Sequence, residues 1–97
     1  MAKFVILGNW TEQGIRSAKE TTRRAAAARE GGARMGVRMI DIWWTLGQYD
    51  FVAWVEADDI QKAVAFLLAL GMQGNVRTTT LQAFDAAETD RIMAMVP

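Results

Sequence analysis

The sequence predicts an α+β domain with the element order β-α-β-β-α-β and a short helix at its end. Three observations carry this. Two adjoining runs rich in aromatic and β-branched residues, 37–46 and 49–57, are separated only by Gly47 and Gln48, as in a hairpin. An Ala/Arg-rich stretch precedes that pair, and an apolar stretch of helical spacing follows it. Two further strand-like runs lie outside the helices: residues 4–7, closed by Gly8 and Asn9, and residues 76–84, opened by Gly74 and Asn75.

Taken in order, residues 4–7 are a short apolar block of the kind that forms a buried strand. Residues 11–35 change character. Thr11, Ser17, Thr21 and Thr22 are candidate N-caps, and Ser17 with Glu20 has capping-box spacing. The segment RRAAAARE at 23–30 favours helix because Ala and Arg lose little side-chain freedom there, and Gly31 and Gly32 supply a C-terminal stop. After the hairpin, Asp58 stands three residues before Gln61 as an N-cap with a reciprocal partner. The helix over 59–70 then ends at Gly71. Its Ile60, Val64, Leu67 and Leu68 form one stripe, which Ala63, Phe66 and Leu70 widen. With only Gln61 and Lys62 clearly polar, this helix is expected to be deeply buried. Asp85 with Glu88 repeats the capping spacing and opens a last helix carrying Ile92, Met93 and Val96. The order is that of a ferredoxin-like split β-α-β domain, a four-stranded antiparallel sheet with helices on one face.

The hairpin also predicts a register. With Gly47 and Gln48 as a two-residue type II′ loop, Leu46 opposes Tyr49, Trp44 opposes Phe51, Ile42 opposes Ala53 and Ile40 opposes Val55. These eight residues make one almost wholly apolar face. The other face pairs Thr45 with Asp50, Trp43 with Val52, Asp41 with Trp54 and Met39 with Glu56. Two tryptophans on a surface that also bears carboxylates form a patch that marks an interface. One face is therefore expected to meet the helices and the other a second subunit's sheet, with Trp43 and Trp54 as interface residues.

Composition narrows the function classes. Ninety-seven residues make one domain, 1–97. A chain of this size buries roughly 60–65% of the surface its unfolded form exposes, and the 52% apolar content with four tryptophans is rich for such a surface. The excess points to cover from another chain. The 11 basic and 11 acidic residues balance, so no long-range field recruits nucleic acid or an anionic membrane. There is no cysteine, hence no disulfide, thiolate ligand or thiol nucleophile, and no histidine, the commonest general base and metal ligand. Neither a cofactor nor a metal site is expected. The N-terminus lacks a signal-peptide pattern, and the apolar run 63–70 is far short of the ~20 residues that span a bilayer. The expected setting is cytoplasmic.

Three stretches, WTEQGI at 10–15, WTLGQYD at 44–50 and GNVRTTTLQAF at 74–84, resemble the GYD domain family of small bacterial and archaeal proteins. The resemblance runs from Lys3 to about Met93. The family is named for a Gly-Tyr-Asp motif; here Gln48 stands between Gly47 and Tyr49. The resemblance implies a ferredoxin-like fold related to dimeric α+β barrel proteins, whose members include cofactor-free monooxygenases, isomerases and effector-binding modules. It implies no particular activity.

The candidate site residues each have two readings. Tyr49 can donate to a substrate oxygen while a desolvated Asp50 acts as base. Structurally, Tyr49 packs beside Leu46 and Asp50 pairs with a turn amide or an arginine. Asn75, Arg77 and Thr79 share a face by alternation and can hold a carboxylate or phosphate through the Arg77 fork, or Arg77 pairs with Asp41, Asp50 or Glu56. Trp10, Trp43 and Trp54 can stack a planar ligand or simply pack. Asp85, Glu88 and Asp90 occupy a helix start, where negative charge is favoured in any case. The expectation is an oligomeric binding or assembly module that holds a small organic or anionic ligand. The alternative is a cofactor-independent enzyme, of monooxygenase or isomerase type, acting on a planar or acidic substrate. The surroundings of Asp50 discriminate between the two.

Overall fold

In a computed structural model describing residues 1–97, four strands form one antiparallel sheet in the order β2-β3-β1-β4. The strands are β1 (Ala2–Trp10), β2 (Val37–Trp44), β3 (Phe51–Ala57) and β4 (Val76–Ala83). The helices are α1 (Glu12–Arg16), α2 (Thr21–Arg34), α3 (Ile60–Met72) and α4 (Ala86–Ala94), with a 3-10 turn at Ala18–Glu20. The expected ferredoxin-like order is the observed one. β1 is longer than residues 4–7 because it is central, bonded to β3 on one side and β4 on the other. Even Gly8 keeps its place in the ladder. It lies opposite Phe51, whose ring covers it so closely that a Cβ on Gly8 would fall 2.0 Å from Cζ.

Alternation along β1 and β3 sends Phe4, Ile6, Phe51, Ala53, Val55 and Ala57 to one face, where Ala63 and Phe66 of α3 meet them. With Val37 these make the core. Only 12 of 97 residues are buried, so the hydrophobic term available to the lone chain is small. No buried side-chain polar atom lacks a hydrogen-bond partner.

Several local expectations give way to tertiary geometry. The first helical N-cap is Thr11, whose Oγ1 accepts from the Gly14 amide at 3.0 Å. Ser17 does not cap α2; its hydroxyl accepts from Arg24 at 2.9 Å, while Glu20 pairs with Arg23. α2 runs through Gly31 and Gly32, and α3 runs through Gly71. The left-handed glycines that turn the chain back toward the sheet are Gly36 (φ +80°) and Gly74 (φ +84°), where a residue with a Cβ is strained. Asp59, not Asp58, caps α3, accepting from the Gln61 amide at 2.8 Å, and Asp58 instead pairs with Lys62. α3 buries Ala63 and Phe66, with Leu67 and Leu70 beside them. Ile60, Val64, Leu68 and Met72 stand exposed on the other side, so the helix is half-covered rather than deeply buried.

The hairpin keeps part of its expected register: Trp44 with Phe51, Trp43 with Val52, Ile42 with Ala53 and Asp41 with Trp54. A bulge at Ile40 then intervenes, and Met39 opposes Val55 instead of Glu56. The extra residue places both Met39 and Ile42 against the core, which an unbroken ladder cannot do. The loop is wider than two residues. Thr45 N donates to Asp50 O at 2.9 Å, no Leu46–Tyr49 bond closes a type II′ turn, and Leu46 is fully exposed. The cause lies in Asp50, which is drawn to β1: its amide donates to Gly8 O at 2.8 Å, and its carboxylate accepts from the Trp10 amide at 2.9 Å. Gly47 (φ +124°) still requires glycine geometry.

α4 starts with the anticipated capping box. Asp85 Oδ1 accepts from Glu88 N at 2.8 Å, and Glu88 Oε1 accepts from Asp85 N at 3.0 Å. Lys3 of β1 lies 3.4 Å from Asp85 and 3.1 Å from Glu88, joining the helix start to the sheet. Beyond that anchor α4 has little packing behind it, and Met93, Met95 and Val96 are exposed.

Two measurements check this account. A Cβ on Gly14 would lie 1.9 Å from the Asn75 carbonyl oxygen, whereas one on Gly31 meets nothing within 4 Å. Gly14→Ala should therefore cost about 2–3 kcal/mol in urea unfolding, and Gly31→Ala should add about 0.5–1 kcal/mol. The second concerns pH. The backbone amide of Glu88 holds the Asp85 carboxyl below the usual range, the amide of Asp85 does the same for Glu88, and the Glu88 hydrogen bond raises Lys3. Lowered carboxyl pKa values stabilise the box above the ordinary carboxylate range and release that contribution as pH falls through the lowered values. The raised Lys3 pKa acts at the other end, its contribution being lost as pH rises past that pKa. Protection factors of the amides at residues 86–90, taken against intrinsic exchange rates, should be highest near neutral pH and fall in acid before those of the core amides do.

Candidate functional site

The end of β1 is the most heavily tied point of the fold. Thr11 N donates to Asn75 O at 3.0 Å, and the Thr11 hydroxyl donates to Gly74 O. Gln13 Nε2 donates to Gln73 O at 3.1 Å and to Asn75 Oδ1 at 3.0 Å. Gly14 sits against the Asn75 carbonyl, where only a glycine fits. With Asp50 on the Trp10 amide, the stretches 10–15, 44–50 and 74–84 meet at one corner.

Beside this corner a cleft of about 70 Å³ opens between the sheet and the α2/α3 layer. Ile6, Phe51 and Ala53 form its floor, Phe66 and Leu70 one wall, and Trp10 and Trp44 are among its edges. The opposite wall is α2, which presents Ala25 and Ala28. Alanines are too short to reach the sheet, so the space stays open. The polar groups around it are Thr21, Arg24, Gln73 and Asn75. Trp44 Nε1 donates to Thr21 Oγ1 at 2.9 Å, tying the end of β2 to the start of α2. Arg24 donates to Ser17 O, Ser17 Oγ and Gly14 O at 2.8, 2.9 and 3.2 Å, and no carboxylate lies within ion-pair distance of it.

The sheet's second face is uncovered, and the registers place its side chains in rows. Trp43, Val52, Leu7 and Thr79 lie side by side across the four strands, as do Asp41, Trp54, Val5 and Leu81. Trp43 is 49% exposed, Trp54 36% and Leu81 51%. A row of Arg38, Glu56, Lys3 and Ala83 bounds this apolar centre at one end, and Asn9 with Arg77 bounds it at the other. An apolar middle with a charged rim is the anatomy of a protein–protein contact surface.

The expected site residues thus fall in three places. Trp43, Trp54, Arg77 and Thr79 share the open face. Asn75 does not join Arg77 and Thr79, because it precedes β4, takes the Gln13 amide and borders the cleft. Arg77 has no carboxylate partner. Tyr49 and Asp50 do not line this cleft; Asp50 bonds the Trp10 amide of β1 rather than a turn amide or an arginine, and Tyr49 O accepts from the Thr45 hydroxyl. No group of acidic side chains is arranged to hold a metal ion, and no helix is long and apolar enough to cross a membrane. Sequence reasoning missed Trp44, Arg24, Ala25 and Ala28. Their signal was present: small residues at i, i+3 and i+7 (Ala25, Ala28, Gly32) on a helix whose inner face should carry larger side chains.

Comparison with known proteins agrees with this architecture. The chain is 33% identical over 89 residues, covering 91% of its own length and 94% of the relative's, to a Thermus thermophilus protein named glutamine synthetase and cystathionine beta-lyase binding protein. The crystal structure of TTHA0845 from Thermus thermophilus superposes with a TM-score of 0.56 at 25% identity, covering 89% of this chain and 96% of that one. The GYD domain family model matches residues 4–93, nearly the whole length, and the chain belongs to that family.

Proposed function

We propose that the protein is a non-catalytic assembly module. Two copies close against each other through the open faces of their sheets, and the pair binds a metabolic enzyme as its partner. The observation that carries this reading is the open face itself: Trp43, Trp54, Val5, Leu7, Val52 and Leu81 lie together inside a charged rim on a chain with a small core. The same patch on both copies makes an isologous contact, the commonest form of homodimer. The name of the Thermus relative, a binding protein for two enzymes, supports a protein partner over a reaction. Arg77 and Thr79, at the rim, are positioned to receive an anionic group from a ligand or from that partner. The enzyme alternative draws no support from Asp50, whose carboxylate is engaged by the Trp10 amide.

Sedimentation equilibrium tests the self-association: the wild type should run as a dimer or larger at micromolar concentration, and Trp54→Glu as a folded monomer. A wild-type monomer at several hundred micromolar would overturn the reading. Purified glutamine synthetase and cystathionine β-lyase test the partner. Co-sedimentation with either one supports it, and failure with both removes enzyme binding of that kind.

A further inference from the structure

We propose that the cleft beside Trp44 is a binding site for a short, branched aliphatic monocarboxylate, the hydrocarbon end lodged between α2 and the sheet and the carboxylate held by Arg24. The site is distinct from the sheet-face contact and does not depend on it.

The walls determine the hydrocarbon end. Ile6, Phe51, Ala53, Phe66 and Leu70 face the cleft together with Ala25 and Ala28, and no aspartate or glutamate lines it. Apolar walls of this kind favour an apolar guest over water. Size excludes an aromatic ring. The cleft measures about 70 Å³, whereas a cavity that admits benzene is roughly 150 Å³. The hydrocarbon end that fits is therefore smaller than a ring, as an isopropyl group is.

Arg24 determines the charged end. Three of its five N–H donors are spent on Ser17 O, Ser17 Oγ and Gly14 O, which fix the guanidinium at the edge of the cleft. Those acceptors are neutral, so the positive charge has no counter-ion, and two donors remain for a carboxylate. A guanidinium already held in place loses little freedom on binding. The two ends of such an acid match the two parts of the site, and the bond between Trp44 Nε1 and Thr21 Oγ1 beside it offers a reporter.

The test is a titration of the 97-residue chain with 3-methylbutanoate, followed by two-dimensional amide NMR. The Trp44 indole N–H and the amides of Ala25 and Ala28 should shift saturably. The uncharged 3-methylbutanamide should bind about ten-fold more weakly or worse, as loss of a charge-assisted contact implies, and benzoate should leave these resonances in place. Ala25→Leu, which fills the cleft, should abolish the shifts while raising the melting temperature. Arg24→Gln should weaken binding by about ten-fold, and the amide analogue makes the same point on the unaltered chain should that variant fail to fold. Absence of saturable shifts at tens of millimolar acid, equal affinity for acid and amide, or undiminished binding by folded Ala25→Leu would overturn the proposal.

Discussion

A four-stranded sheet has two faces, and this chain has packed helices enough for only one of them. α2 and α3 lie over the side bearing Phe4, Ile6, Phe51, Ala53 and Val55, while α4 leaves the body after its first turn. The uncovered side is not a polar surface of the usual antiparallel kind, hydrophobic inward and wet outward. Leu7, Val52, Trp54 and Leu81 occupy positions where such a sheet would carry threonine, lysine or glutamate. The composition and the geometry therefore describe the same imbalance from two sides: an apolar fraction of 52% and a core confined to a few residues.

The second organising feature is the corner at the end of β1. Backbone carbonyls and amides there are bonded by side chains from segments distant in sequence: Asp50 to Trp10, Thr11 to Gly74, Gln13 to Gln73. Each bond satisfies a backbone group at the point where the central strand stops pairing and the chain must turn into α1. The Asp50 carboxylate thereby braces the end of β1. Its position beside a tyrosine invites a catalytic reading, yet its contacts are those of a brace.

The alternation of residues makes the strands, their order and the mixed character of the second face legible in the letters alone. What the letters conceal are the places where long-range contacts overrule local preference. Ile40 reads as a core residue by strict alternation; only the need to bring Met39 and Ile42 together to the core produces the bulge. Gly31, Gly32 and Gly71 read as helix ends, but helices end where the chain must re-enter the sheet, at Gly36 and Gly74. Asp58 and Asp59 are both competent caps; Asp59 takes the Gln61 amide, and Asp58 bonds Lys62. The cleft is the subtler omission. Alanine in α2 reads as helix-forming chemistry, but its smallness also decides how much space lies beneath the helix.

The shape of the molecule has its own consequence. With α4 extended the chain measures 51 × 31 × 18 Å, and its radius of gyration, 14.6 Å, exceeds the ~12.5 Å typical of a compact domain of this length. An object so drawn out experiences more drag than a sphere of equal mass. A 10.8 kDa particle of this form passes through a sizing column ahead of its weight, so its elution volume reports outline as much as stoichiometry.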